Sequence, residues 1–280
     1  MALLKRVSSG KGDQYINDWK KVITRSFGVI VVIIGIWVGV QAYHYFSHKE
    51  ALQSNQTRDI PDRTSVLSYL NGEDPSSLEE MGFDKEDIQF IQDDFDLPFK
   101  ELIISKENAK GLSIAEEDIQ PYEFTLDPLH TQQAEGDHIR FEVSPTNSQL
   151  VTYEDGEKTI YSELLYTVHL EEPLFFQSED RLEFMLNNWF PVFHLSALHY
   201  KTKDGKEHTE YKAAEKHSRN NELTFTVKQK LDGETYYLSH ISGLFIIESF
   251  KHLNLHLNYS HDQLIINPSL GSHSGMWVED

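Results

Sequence analysis

The chain has no cysteine in its 280 residues. That excludes disulfides, thiolate metal sites and a cysteine nucleophile. Cationic residues are also few: 25 Lys and Arg stand against 45 Asp and Glu, a formal net charge of −20. Phosphate binding needs a surplus of Lys and Arg on some face, so the balance argues against nucleic acid as a partner. Catalytic signatures are missing as well. The sequence holds no Gly-x-Ser-x-Gly, no His-Glu-x-x-His, no P-loop and no dinucleotide fingerprint. Hydrolytic, nucleotide-dependent and redox catalysis each lose their usual support, and the expectation is a non-enzyme without a cofactor.

What is present begins with a long apolar run. Residues Phe27 to Phe46 read FGVIVVIIGIWVGVQAYHYF, with Gln41 and His44 the clearly polar positions. Twenty helical residues span about 30 Å, the thickness of a hydrocarbon core, and backbone groups in lipid must pair within the segment. A single transmembrane helix over 27–46 is expected, with Trp37, Tyr43 and Tyr45 toward a headgroup interface. Gly28, Gly35 and Gly39 offer close helix packing, and Gly35 with Gly39 forms a Gly-x-x-x-Gly pair suited to self-association.

The flanks set an orientation. Residues 1–26 carry a net +4 and residues 27–280 carry −24. Basic flanks stay cytoplasmic, so the N-terminus is expected inside and the bulk of the chain periplasmic or otherwise extracytoplasmic, on a bacterial inner membrane. Val40-Gln41-Ala42 would pass as a signal-peptidase site, but a 26-residue basic region is long for a cleaved signal, which favours a signal anchor. Tyr15, Ile16, Trp19, Val22 and Ile23 fall at helical spacing among Lys20, Lys21 and Arg25. They read either as an amphipathic helix on an anionic leaflet or as a plain topology signal.

The remainder changes character along its length. Residues 47–64 read as linker, and residues 65–129 as a small acidic helical module. From Glu50 to Leu129 there are 20 acidic and 6 basic residues. Asp74-Pro75 caps one helix, which Gly82 closes; Asp84 caps a second; Pro98 opens a third, which Gly111 ends. Ser113 with Glu116 suggests a capping box for a fourth, stopped by Pro121.

Residues 130–280 alternate instead, as in His138 to Val143, Leu223 to Val227 and Leu253 to Leu257. Asp155-Gly156, Asp204-Gly205 and Asp232-Gly233 each mark a hairpin. One helix is expected among the strands, capped by Ser178 and carrying Leu182, Phe184, Met185 and Leu186 up to Trp189. The fold class is therefore α+β: a membrane helix, a helical module, and a predominantly antiparallel β sandwich or half-barrel with one helix.

Candidate sites are few. His252 and His256 share a helical spacing, but the intervening leucines have period two. Four strand residues separate them by about 13 Å, too far for one ion. His208 and Glu210 lie about 7 Å apart on one strand face, and His199 could meet them across the hairpin as a weak metal site. The structural alternative is a polar strand face. His194 and His199 have opposite parity and cannot share a site on a regular strand. The 14 histidines could also sense pH among so many carboxylates. Met276 and Trp277 either tuck back into the sheet or serve as a partner's handle.

These features point first to a single-pass, membrane-anchored assembly or accessory subunit binding other envelope proteins. The alternatives are an outer-face ligand or pH sensor signalling through a partner helix, and a metal-assisted hydrolase around His199, His208 and Glu210.

Overall fold

The computed structural model describes residues 10–53, 62–123, 130–132, 139–170, 172–173, 179–217, 222–231, 235–261 and 275–277. Two units separate by their internal contacts, Met1–Phe46 and Ser47–Asp280.

The first unit is the greater part of α1 (Gly10–Gln53). A long apolar run with no proline inside it suits a helix, whose backbone groups pair within the segment. Among the described residues α1 is long and apolar enough to cross a membrane over Trp19–Gln53. Its apolar side chains face outward, with Phe27, Ile33 and Ile36 all more than half exposed. The helix does not stop at Phe46. Ser47, His48 and Ala51 are buried within the second unit, where His48 Nε2 bonds the Leu238 carbonyl at 2.7 Å and its ring stacks on Tyr237. Residues 47–53, expected to be linker, are thus helical, because an imidazole and a small alanine find a packing site there.

Four short helices follow: α2 (Arg63–Leu70), α3 (Pro75–Glu80), α4 (Lys85–Asp93) and α5 (Phe99–Ala109). The expected punctuation holds for three of them. Asp74 accepts from the Ser76 and Ser77 amides with Pro75 at the first helical position, and Asp84 accepts from the Asp87 amide. Gly82 and Gly111 leave α3 and α5 at φ +96° and +79°, where a Cβ would be strained. Helix α2, capped by Asp62, starts inside the expected linker. The fourth expected helix does not form. Ser113 makes no cap; residues Glu116–Asp118 make one 3₁₀ turn, and β1 (Ile119–Pro121) follows, because Ile119 and Gln120 pair with Val151 and Leu150. A strand partner took the residues that a capping box would have claimed.

The other strands are β2 (His130–Gln132), β3 (Ile139–Thr152), β4 (Lys158–Leu170), β5 (Glu179–Lys201), β6 (Glu207–Lys212), β7 (Glu215–His217), β8 (Glu222–Lys228), β9 (Lys230–Leu231), β10 (Tyr236–His261) and β11 (Gly275–Trp277). They form one sheet in the order β1-β3-β4-β10-β5-β8-β7, with β6 on β5, β9 and β11 on β10, and β2 on β11. Every pairing is antiparallel. Gly156 and Gly205 turn two of the expected hairpins at positive φ. Residues 232–234 of the third lie outside the described residues.

The helix expected from Ser178 to Trp189 is instead the first half of β5; Ser178 itself lies outside the described residues. Leu182 and Phe184 satisfy period two as well as a helical face. Pairing on both edges, with β8 and with β10, decides for the strand. The strand then bends. The Phe184 ring lies 5.6 Å from that of His194 on the same strand and 4.7 Å from Phe245. Straight extension would separate residues 184 and 194 by about 33 Å.

Both faces of the sheet are buried. On one, α2–α5 pack Val66, Leu78, Phe83, Ile91, Phe95 and Leu102 against Tyr161, Phe193, Leu244 and Ile246. The helices therefore share a core with the sheet. On the other, the bent sheet covers itself with Phe141, Val143, Leu164, Tyr166, Phe184, Leu198 and Phe245. A register shift between Pro145 and Asn147 moves β3 from the second core to the first, so Val143 and Val151, of equal parity, face opposite sides. Gly243 is required where it stands: a Cβ there would meet the ring of Tyr166 on the neighbouring strand. The Tyr166 hydroxyl reaches across to Ser196 Oγ at 2.5 Å and His194 Nε2 at 3.0 Å.

Candidate functional site

The sequence-predicted metal group does not assemble. In the β5–β6 hairpin His199 is opposite Thr209, whereas His208 and Glu210 are opposite Tyr200 and Leu198. Side chains directly opposed across a strand pair share a face, so His199 points away from the other two. Its ring accepts or donates at Thr209 Oγ1 (3.2 Å) and Ser242 Oγ (2.7 Å) and stacks 4.2 Å from His240. The exposed His208 ring lies near Tyr200 and Tyr236. No group of three His, Asp or Glu close enough to hold one ion occurs among the described residues. His194 and His199 do lie apart: His194 is buried beside Tyr166 and Ser196 in the sheet's own core.

The other predicted positions are placed by their elements. Gly28, Gly35 and Gly39 lie on α1, and an added Cβ at each would meet nothing within 4 Å. Trp37 and Tyr43 are 38% and 56% exposed, and Tyr45 is half-buried. Met276 and Trp277 belong to β11, whose backbone pairs Met276 with Thr131 and Trp277 with His130 and His256. Their side chains, and those of His252 and His256, lie outside the described residues.

A different set of residues converges beside the helix layer. Helix α5 carries Lys106 and Glu107, with Lys110 at its C-cap, while β10 and β4 bring Glu248 and Tyr161 as a directly opposed pair. Glu107 is fully buried. Its Oε1 accepts from the Tyr161 hydroxyl and from Lys110 Nζ at 3.0 Å. Lys110 Nζ also donates to Glu248 Oε2 at 3.0 Å, and Lys106 Nζ donates to the same oxygen at 3.2 Å while lying 5.3 Å from the centre of the Tyr161 ring. The two lysines, near the end of α5, also complement the negative end of the helix dipole.

Glu107, Lys110 and Glu248 of this network line a ≈ 740 Å³ cavity between the last turn of α5 and the β3–β4 hairpin. Gly111 at positive φ swings Leu112 and Ser113 out as one wall, and Gly156 turns the hairpin that supplies Glu154, Asp155 and Glu157 as the rim. Tyr153 and Thr159 complete the lining.

The electrostatics keep the network charged. Burial pushes the Glu107 carboxyl up, but hydrogen bonds from Tyr161 and Lys110 outweigh it and hold it below the usual carboxylate range. Burial, with Glu248 and Glu107 nearby, raises the Tyr161 phenol far above its ordinary value, so it stays a donor. Burial lowers the Lys110 ammonium, and its two carboxylate partners more than restore it, for a net rise. The Glu107 and Tyr161 shifts both move away from neutrality, so the carboxylate and the phenol keep their roles as acceptor and donor there.

Sequence reasoning missed this site. Its sole local trace is Lys106-Glu107 and Lys110 within one helical turn. Tyr161 lies 54 residues from Glu107, and Glu248 lies 142 from Lys106. No protein-family profile matches the chain, and no curated protein matches it.

Proposed function

We propose that the chain is a single-pass accessory subunit of a membrane-bound assembly, holding partners through its acidic extracytoplasmic unit and performing no catalysis itself. The observation that carries this reading is α1: a helix long and apolar enough to cross a membrane, its apolar side chains outward, joined to a folded unit that begins at Ser47. Anchoring in two dimensions raises the effective concentration of that unit near other membrane proteins. The basic residues Lys20, Lys21 and Arg25 before the apolar stretch favour a cytoplasmic N-terminus, and a bacterial inner membrane is the proposed location. In this reading the bent sheet is a half-barrel, α2–α5 form its acidic covering layer, and Gly35 with Gly39 supports helix self-association.

The test is purification of the full-length chain in a mild uncharged detergent, with mass spectrometry of what accompanies it. A reproducible set of membrane or envelope proteins, lost at high salt, is expected, because contacts made by an acidic surface are screened. A chain that purifies alone at low salt would reject the reading.

A further inference from the structure

The basic residues toward the N-terminal end of α1 gather on one side of the helix. The helix is continuous from Gly10 to Gln53, so positions around its axis follow from sequence number. At about 100° per residue, Lys20, Thr24, Lys21 and Arg25 fall within one arc of about 140°. Val22, Trp19 and Ile23 occupy the opposite side, within an arc of about 100°. All seven residues are exposed. Asp18 precedes the patch, and no acidic residue follows it until Glu50.

No ion pair among the described residues engages Lys20, Lys21 or Arg25. With Thr24 they bound a ≈ 450 Å³ hollow on the surface of the helix. Thr24 Oγ1 donates to the Lys20 carbonyl at 2.8 Å. The donors left around the hollow are therefore two ammonium groups and one guanidinium, a set that complements an anion.

Position along the helix axis selects which anion. With a rise of about 1.5 Å per residue, Arg25 stands about 3 Å and Lys20 about 10 Å before Phe27, where the apolar run begins. The headgroup layer on each side of a hydrocarbon core is about 5–8 Å thick. The three cations therefore span the depth of the lipid phosphates when the apolar run fills the core. Trp19, 68% exposed on the opposite side, suits the same layer, with an apolar ring and an N–H that donates.

We propose that Lys20, Lys21 and Arg25 hold the phosphate of an anionic phospholipid in the leaflet that surrounds the N-terminal end of α1. The premise is the membrane-spanning reading of α1, to which this site adds a lipid partner. Lys20 and Lys21 supply flexible point charges. Arg25, nearest the hydrocarbon, offers a planar fork that fits two phosphate oxygens. A phosphatidylcholine headgroup carries its own cation into the patch, so the site favours phosphatidylglycerol over it.

The test offers equimolar phosphatidylglycerol and phosphatidylcholine to the full chain in uncharged detergent at low salt. Native mass spectrometry then reads which lipid occupies the first adduct. The native chain is expected to prefer phosphatidylglycerol by about fivefold or more, the effect of one basic residue at a charged membrane surface. Lys20→Gln with Lys21→Gln and Arg25→Gln should bring the ratio close to one, and Lys20→Arg with Lys21→Arg should keep it. Lys85→Gln with Lys158→Gln and Lys203→Gln, which removes three exposed cations from the second unit, should leave it unchanged. A ratio near one in the native chain, an undiminished ratio in the first variant, or equal loss in the first and third overturns the site. Flotation with vesicles of phosphatidylcholine alone separates the site from its premise. A chain that does not float rejects the membrane reading of α1; a chain that floats but shows no lipid preference rejects the lipid site alone.

Discussion

Arg63 joins three parts of the second unit. Its Nη2 donates to the carbonyls of Phe95 and Leu97, its Nη1 pairs with Glu163 Oε2 at 2.9 Å, and its guanidinium lies 5.4 Å from the centre of the Phe95 ring. The Glu163 side chain is 6% exposed, so removing its cation leaves a buried charge. Arg63→Ala is expected to cost about 3 kcal/mol, and Arg63→Ala with Glu163→Gln markedly less than the sum of the singles, measured by urea denaturation. Additive effects would show that the pair does not couple. Gly243 gives a second residue-scale expectation. Gly243→Ala forces the Tyr166 ring off its seat and should cost about 1–3 kcal/mol. The same change in a Tyr166→Leu background should cost far less. None of this was legible in the sequence, where Arg63 fell in a presumed linker and Gly243 among strand residues with no turn signal. Both roles depend on neighbours brought in by the fold.

Helix ends were the most readable elements, because caps are local. An Asp before Pro75, an Asp before Lys85 and glycines at 82 and 111 need information from no further than a few residues away. Asp84→Ala should therefore destabilise by about 1 kcal/mol through loss of the Asp87 amide bond, visible as a lowered melting temperature. Where long-range pairing competed, local reading failed. Residues 182–189 carry both a helical and a strand period, and β8 and β10, which settle the matter, lie far along the chain. The supposed fourth helix failed for the same reason, through β3. The α1 segment was legible because its composition alone excludes most alternatives. Replacing Ile33 and Ile34 with Asp should release the chain from membranes under alkaline extraction, since each charge at a helix centre costs about 2.5–3.5 kcal/mol. Retention in the pellet would contradict the anchor.

For the molecule as a whole, charge ties stability to pH. Glu107 is depressed below its ordinary 4.5 in the folded chain. Its contribution is therefore complete above about pH 4.5 and is lost as the pH falls through the folded value. Lys110, raised above 10.5, contributes below that value and loses its effect as the pH rises beyond it. The gap in melting temperature between the native chain and Glu107→Gln should be full at about pH 6 and narrow toward about pH 3. A gap independent of pH would mean that the carboxyl acts by packing alone. The acidic balance of the second unit could be read from composition, but not where it gathers: the cavity that Glu107, Glu154, Asp155, Glu157 and Glu248 line is assembled from α5, the β3–β4 hairpin and β10. The central claim is that this charged unit works within a membrane assembly. Native electrophoresis of gently solubilised membranes tests it most directly, comparing the full chain with one whose residues 27–46 are exchanged for an unrelated membrane helix. Both should migrate far above 32.5 kDa in company with the same proteins, and Glu154→Gln with Glu157→Gln should weaken that association. Migration of the full chain by itself, at the mass of one or two copies, would contradict it.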